Sequence, residues 1–460
     1  MRSQLLLAVA QSAALATIAS AADFSFSGPI ESPLPKGQTP LVVRLVDLDG
    51  DAKLDAIVTG RNWNGDEGAS ARVAIMKGNG DGTFAAWREV FVLEGHAEDV
   101  RAVDMDGDAI LDLVVSVFGR SSRVAHFRGL GDGLYAPPSY VPVERAPRGM
   151  TTVDFDGDGD RDVVCTNYSS GSLSLLRNDR SALVPLEPIR IMRHLGGLPF
   201  PQQANDSDLD GDGRRDAIIT TLGASRVTVL RDAEGPALPT AVDWKPAQIG
   251  NESPAVIGSS IADFDNDGDD DIALPVLLVT QNQKVVTLRN DGAGGFAEQA
   301  VHEPLGFYYS WCSTPIDVDG DGRQDLAIGT ALTGAVYFLR NETATPTSPI
   351  TFTSPFLFFP YGFFVRDLTS GDVDGDGDAD VVGVEIAGST IFTLLNTTGN
   401  GIAGKSDAAR RAPAEPRRLP SPAKADANED GELDGRDLAI WLEAWVPGRS
   451  VRDAARGGAR

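Results

Sequence analysis

The sequence predicts an all-β protein: a seven-bladed β-propeller of four-stranded antiparallel blades, followed by a small C-terminal loop–helix module. Three observations carry this. An aspartate-rich nine-residue motif recurs seven times, and each copy leads into a short β-branched run. The last copy then lacks a fourth strand, which the N-terminus can supply.

The motif has aspartate at positions 1, 3, 5 and 9 in every copy. These are Asp47, Asp49, Asp51 and Asp55; Asp104, Asp106, Asp108 and Asp112; and Asp154, Asp156, Asp158 and Asp162. They continue as Asp208, Asp210, Asp212 and Asp216; Asp263, Asp265, Asp267 and Asp271; Asp317, Asp319, Asp321 and Asp325; and Asp372, Asp374, Asp376 and Asp380. Successive copies start 57, 50, 54, 55, 54 and 55 residues apart. After each come runs such as "AIVTG", "VVCTN" and "AIITT", too short and β-branched for helices. A third strand follows ("RVAIMKG", "SLSLLRN", "AVYFLRN"), then a turn and a fourth strand such as "TFAAWREVFV" or "GFAEQAVHEP". The seventh copy stops after "TIFTLLNTTG", so Phe24–Ile30 is expected to complete the last blade and close the ring. Closure would hide an open strand edge.

Alternate aspartates on a glycine-containing turn converge their carboxylates on one centre. Hard oxygen ligands in a flexible loop favour Ca²⁺, because Mg²⁺ demands stricter octahedral geometry. An EF-hand would need a carboxylate at position 12 and a helix after it; here position 12 is Val58, Val115, Cys165, Ile219, Leu274, Ile328 or Gly383, and a strand follows. Over residues 23–398 the chain resembles the FG-GAP/VCBS repeat family, whose loops also occur in the integrin alpha propeller. The resemblance implies that each loop joins the first two strands of a blade and binds Ca²⁺ through its four aspartates. Ala52 and Ala109 replace the position-6 glycine, and a Cβ strains the turn if that position needs positive φ. Those two sites are expected to be the weakest. Asn266 at position 4 is a milder change, and Asp160 at position 7 offers the third loop an extra carboxylate.

This chemistry accounts for the charge. The 460 residues contain 66 Asp and Glu against 40 Lys and Arg, a formal net charge of −26. Seven calcium ions would reduce it to −12. Such acidity argues against nucleic acid or an anionic membrane as partner. The two cysteines, Cys165 and Cys312, fall in different repeats and read as buried small apolar residues without a disulfide framework.

Residues 1–21 read as a secretory signal, with Arg2, an apolar stretch from Leu5 and the small-residue site Ala19-Ser20-Ala21. A soluble, exported monomer without a transmembrane segment is expected, secreted or associated with the cell surface. The propeller is assigned to 22–400, an Ala/Pro/Arg-rich linker to 401–424, a second calcium module to 425–447 and a disordered tail to 448–460. In the module, Asp426, Asn428, Asp430, Glu432 and Asp437 fit positions 1, 3, 5, 7 and 12 of an EF-hand-like loop, and Leu438, Ile440, Trp441, Leu442 and Trp445 follow at helical spacing. It resembles one half of a dockerin, which implies a cohesin-like partner; an isolated calcium-stabilised helix cap is the alternative.

A ligand, protein or glycan, is expected on the face opposite the calcium loops, where the second-to-third-strand turns and the blade connections lie. The candidates are Trp63, His96, Arg148, Tyr168, Tyr308, Trp311 and Tyr361, with Arg61, Asn62, Phe307 and Tyr309 nearby. Aromatic rings stack on sugars; the alternative is that the blade-6 aromatics pack between blades. The four histidines, His96, His126, His194 and His302, lie in unrelated phases, and there is no nucleophile elbow, HExxH or phosphate loop. An enzyme is therefore not expected. A polysaccharide lyase using Arg120, Arg123 and Arg148 is the rival.

Overall fold

The computed structural model describes residues 24–34, 38–62, 70–190, 200–222, 226–231, 240–244, 255–277, 284–302, 310–331, 334–353, 356–360, 364–386 and 388–398. The signal segment, the C-terminal module with Asp426, Asn428, Asp430, Glu432 and Asp437, and the candidates Trp63, Tyr308 and Tyr361 lie outside them. Among the described residues there is no helix, and so none long and apolar enough to cross a membrane.

Seven antiparallel sheets succeed one another along the chain. Blade 1 is Gln38–Val46, Asp55–Asn62, Ser70–Met76 and Arg88–Glu94, in that order from the innermost strand outward. Blade 2 is His96–Val103, Asp112–Phe118, Arg123–Phe127 and Ser139–Pro142, with a small ribbon, Gly129–Gly131 against Leu134–Tyr135, at its turn. Blade 3 begins Pro147–Val153, Asp162–Asn167 and Ser172–Asn178; its fourth position is split between Leu183–Pro185 and Ile189–Arg190. Blade 4 comprises Phe200–Ser207, Asp216–Leu222, Arg226–Arg231 and Thr240–Trp244. In blade 5 the innermost strand is split, Ala255–Val256 and Ser260–Ala262, before Asp271–Leu277, Lys284–Asn290 and Phe296–His302. Blade 6 is Ser310–Ile316, Asp325–Thr330, Ala335–Leu339 and Phe356–Pro360.

Blade 7 shows how the ring closes. Val365–Gly371, Asp380–Glu385 and Thr390–Leu394 are joined by Ile30–Pro33, which pairs with Thr390–Leu394. The closing strand thus begins where the sequence placed its end. Phe24 and Phe26 belong to the segment Phe24–Ile30, expected to close the ring because the seventh repeat lacks a fourth strand. Instead they pack across the blade boundary onto Phe338 of blade 6, Phe26 stacked at 4.3 Å, and only Phe26 forms a bridge, to Asn396.

The second strand of every blade begins at the position-9 aspartate and is buried on both faces, which is why it reads as a continuous apolar run. Seven hydrophobic clusters result, one per blade boundary. Leu41 and Ile57 meet Val100 and Leu113 between blades 1 and 2, and Val43 and Val58 meet Val382 and Ile391 between blades 1 and 7. The remaining five clusters fill the boundaries in between. Each buried Val, Leu or Ile contributes about 1.5–3 kcal/mol, so apolar packing between second strands holds the ring as a unit. Cys165 and Cys312 are buried thiols within it, not bridged to each other.

Candidate functional site

The ends of the innermost strands define two faces. On one face stand the seven aspartate loops. Positions 4 and 6 adopt left-handed φ throughout: Gly50 at 75° and Ala52 at 65° in the first loop, Gly107 at 79° and Ala109 at 65° in the second, Asn266 at 59° and Gly268 at 101° in the fifth. The chain therefore curls so that successive amides point at the first aspartate: Gly50 N and Ala52 N donate to the two Asp47 oxygens at 2.7 and 2.8 Å, and Gly157 N and Gly159 N do the same to Asp154.

The position-9 carboxylate is a buried anchor. Asp162 Oδ2 accepts Phe155 N at 3.1 Å from its own loop, and Oδ1 accepts Asn178 N at 2.7 Å from the end of the third strand. Asp55, Asp271, Asp325 and Asp380 repeat the arrangement. Burial pushes Asp162, Asp271, Asp325 and Asp380 up to about 7, against the pull of those amides.

Carboxylates gather accordingly. Asp47, Asp49 and Asp55 each bring an oxygen within 4.8 Å of the others, as do Asp104, Asp106 and Asp108; Asp154, Asp156 and Asp162; Asp208, Asp210 and Asp212; and Asp263, Asp265 and Asp271. Two further groups of acidic or other metal-ligating side chains meet the same test. In three loops the position-3 oxygen, Oδ1 of Asp49, Asp156 and Asp319, is buried with no hydrogen-bond partner. Leaving a buried carboxylate oxygen unmatched is costly. A hard divalent cation fits that donor set.

A cation of the chain's own also reaches these loops, which sequence reasoning missed. At the end of the third strand Lys77 pairs with Asp49 and Asp51, Arg128 with Asp106 and Asp108, Arg289 with Asp265 and Asp267, and Arg340 with Asp319. The signal was visible as the Lys or Arg in "IMKG", "HFRG", "TLRN" and "FLRN"; in the seventh blade Leu395 takes that place. Asp160, the extra carboxylate of the third loop, is held by Arg180 at 2.6 Å.

The opposite face surrounds the mouth of an axial cavity. Near its start the innermost strand of each of six blades slips register, leaving Leu41, Glu98, Arg148–Gly149, Gln202, Trp311 and Arg366 between paired residues; in blade 5 the strand break falls after Val256. Bulges re-aim side chains. Here they turn Glu98, Arg148, Gln202, Ile257, Trp311 and Arg366 onto one cavity. Deeper inside, Arg44 bridges Asp99 (2.9 Å) and Asp367 (2.7 Å), and Arg101 pairs with Asp99 (2.8 Å) and donates to Ala204 O (2.9 Å). Blades 1, 2, 4 and 7 are thereby tied across the axis.

Four described candidates thus lie at or beside this mouth. Arg148 lines it, donates to Gln202 Oε1 at 2.8 Å and lies 3.9 Å over the Tyr168 ring, which stacks on Phe200. His96 stands 3.8 Å from Glu98. Trp311 also lines the cavity, but at 4% exposure it packs edge-on against Phe364 and beneath Arg366, so it is a wall and not a stacking platform. Burial opposes ionisation of Glu98, yet His96, Arg148 and Arg61 bring its carboxyl down to about 2. Arg61 is pushed down to about 10 by burial and by Arg366 and Arg148, in spite of Glu98. The arginines of the lyase alternative do not converge: Arg123 lies 4.2 Å over Tyr140 toward the rim of blade 2, and Arg120 is exposed.

The repeated loops at blade corners define a β-propeller built from FG-GAP-like repeats. The FG-GAP-like repeat family matches residues 104–165 and 317–383, which include the second, third, sixth and seventh loops. Among solved structures the chain is similar to BBS1N, determined in complex with ARL6DN and soaked with lead, with a TM-score of 0.52 and 13% identity over 80% of this chain and 96% of that one. It is also similar to an Agrocybe aegerita lectin described as recognising non-reducing terminal N-acetylglucosamine, with a TM-score of 0.46 and 16% identity over 76% and 86% of the two chains. No curated protein matches the sequence significantly.

Proposed function

We propose that the chain is a secreted, calcium-stabilised propeller that serves as an extracellular binding or adhesion module for a protein or glycan, tethered through its dockerin-like C-terminal segment to a cohesin-like partner. The observation that carries the calcium reading is the buried, unpartnered Oδ1 of Asp49, Asp156 and Asp319 in three of the repeated loops. Position-1 and position-9 aspartates shape each loop, and the position-3 and position-5 carboxylates complete a hard-oxygen site. In this reading calcium fastens the first two strands of each blade, and the ligand meets the other face, where side chains differ from blade to blade and an open mouth is lined by arginine, glutamate and glutamine.

Two measurements test it. Calcium that binds only the folded chain raises its melting temperature, so EGTA should lower that temperature markedly; an unchanged melting curve refutes the calcium sites. A glycan array and a panel of extracellular proteins should then show retention without turnover. Release of unsaturated products from acidic polysaccharides would support the lyase reading. No retention at all would leave a structural spacer.

A further inference from the structure

Hydrogen bonds run from one aspartate loop to the next along four consecutive blades. The step from blade 5 to blade 6 shows the unit. Asp271, at position 9 of the blade-5 loop, accepts Phe264 N of that loop at 3.0 Å. Phe264 O accepts the side-chain amide of Asn341 at 2.7 Å, and Asn341 N donates at 2.7 Å to Asp325, the position-9 aspartate of blade 6. The series continues through Val318 and Asn396 to Asp380 of blade 7. In the other direction it runs from Asp271 through Asn290 and Leu209 to Asp216 of blade 4. Three asparagines thus join four position-9 carboxylates without a break. All seven residues are at most 2% exposed, so water cannot stand in for a lost link.

Blade 1 lies outside this series. Where blades 5, 6 and 7 have asparagine, blades 1 and 2 have Gly78 and Gly129. Their amides still reach Asp55 and Asp112, but glycine has no side chain to hold the carbonyl of the preceding loop. A Cβ there would lie 2.2 Å from Leu54 O or 2.5 Å from Leu111 O, so none fits. From blade 7 the carbonyl of Val373 is taken instead by Gly82 N, in the blade-1 turn and not at the residue that holds Asp55. Asn178 of blade 3 makes the equivalent link to Met105 of blade 2, and Asp232 of blade 4 lies outside the described residues.

We propose that this series couples the calcium sites of blades 4 to 7, so that they fill cooperatively while the blade-1 site fills on its own. The inference rests on the calcium reading above and adds how the sites respond to one another. Asp271 belongs to the same oxygen cluster as Asp263 and Asp265, so carboxylates fixed around an ion also fix the position-9 aspartate. Asp271 in turn holds the Phe264 peptide, whose carbonyl holds Asn341, whose amide holds Asp325. The next loop then has less freedom to lose when it closes on its own ion. Hydrogen bonds in a chain also polarise one another, which strengthens each link in a dry interior.

The test is calorimetric titration of the full, metal-free chain with Ca²⁺, the fold of each variant being checked by circular dichroism. Asp265→Asn disables the blade-5 loop, inside the series, and Asp49→Asn disables the same position in blade 1, outside it. Each should lower the number of ions bound by one. Asp265→Asn should also move the cooperative part of the curve about fivefold or more to higher calcium, the lower end of ordinary coupling between sites. Asp49→Asn should leave that part where it was. Combining Asn290→Gly with Asn341→Gly gives blades 5 and 6 the residue of blades 1 and 2, and in that background Asp265→Asn should no longer shift the curve. Equal effects of the two aspartate variants in the otherwise native chain would overturn the coupling and leave the calcium sites in place. A shift that survives the paired glycines would overturn the asparagines as its carriers. Absence of calcium binding by the wild-type chain would remove the calcium reading and this inference together.

Discussion

The side-chain amide of Asn341 in blade 6 donates at 2.7 Å to the carbonyl of Phe264, the second residue of the aspartate loop in blade 5. Its own backbone N–H meanwhile donates to Asp325, the position-9 aspartate of blade 6. One residue therefore couples two neighbouring loops. Asn178 to Met105, Asn290 to Leu209 and Asn396 to Val318 repeat the staple at 2.7–2.8 Å. Truncating Asn341 to alanine leaves a buried carbonyl without its donor, which costs about 1–3 kcal/mol. Denaturant titration of Asn341→Ala should show that loss, and an unmoved midpoint would sink the staple as a stabilising contact.

How far these features could be read from the sequence depends on what each one rests on. The loops and blade order were legible because every copy repeats the same aspartates, and the need for an N-terminal closing strand, though not its bounds, because one repeat came up short. The staple was half-legible: the recurrent asparagine in "LRN" reads as a turn residue, while its side chain reaches back one full repeat. The mouth was much less so. Arg148 and Trp311 are legible as candidates, but no single residue type or motif joins them to Glu98, Gln202 and Arg366. What unites them is a register slip in the backbone, and no side-chain pattern marks it.

Ala52 and Ala109 both sit at φ 65°, a conformation that costs an L-residue with a Cβ roughly 1–2 kcal/mol. Glycine removes that strain but gives back some unfolded-chain entropy. Ala52→Gly and Ala109→Gly should each stabilise the protein by about 0.5–1 kcal/mol, and the pair should add because the sites lie in different blades. Destabilisation in thermal melts would show that the turn tolerates the Cβ without strain.

Arg44 satisfies two nearly buried carboxylates at once, Asp99 and Asp367. Arg44→Ala leaves both charges without their bridge, a change on the order of 3–5 kcal/mol. Arg44→Met together with Asp367→Asn removes charge from both sides and should recover much of the loss. A double variant no more stable than Arg44→Ala would argue that the network stabilises through packing alone.

Arg340 pairs with Asp319, whose other oxygen is buried without a partner. In the calcium reading proposed above, the guanidinium relieves repulsion in the metal-free loop and would compete with the ion for the same carboxylate. Arg340→Met should therefore lower the melting temperature in EGTA and enlarge the increase that calcium produces. Equal shifts in both conditions would separate the arginine from the proposed metal site.

His302 is half-buried beside Phe352 and within 3.1 Å of Thr287 Oγ1, and burial brings its imidazole down to about 4. The ordinary value is about 6.5. Between those two values the unfolded chain takes up the proton and the folded chain does not, so the folded state loses stability as the pH falls from 6.5 to 4 and nothing further below that. The full effect is on the order of 2 kcal/mol for a group that water still partly reaches. Aspartates raised by burial, such as Asp271, push the other way, so the informative quantity is the difference between wild type and His302→Gln in saturating calcium. That difference should be flat above pH 7 and turn in favour of the variant through pH 5. A constant difference across the range would mean that the imidazole titrates as it would in water.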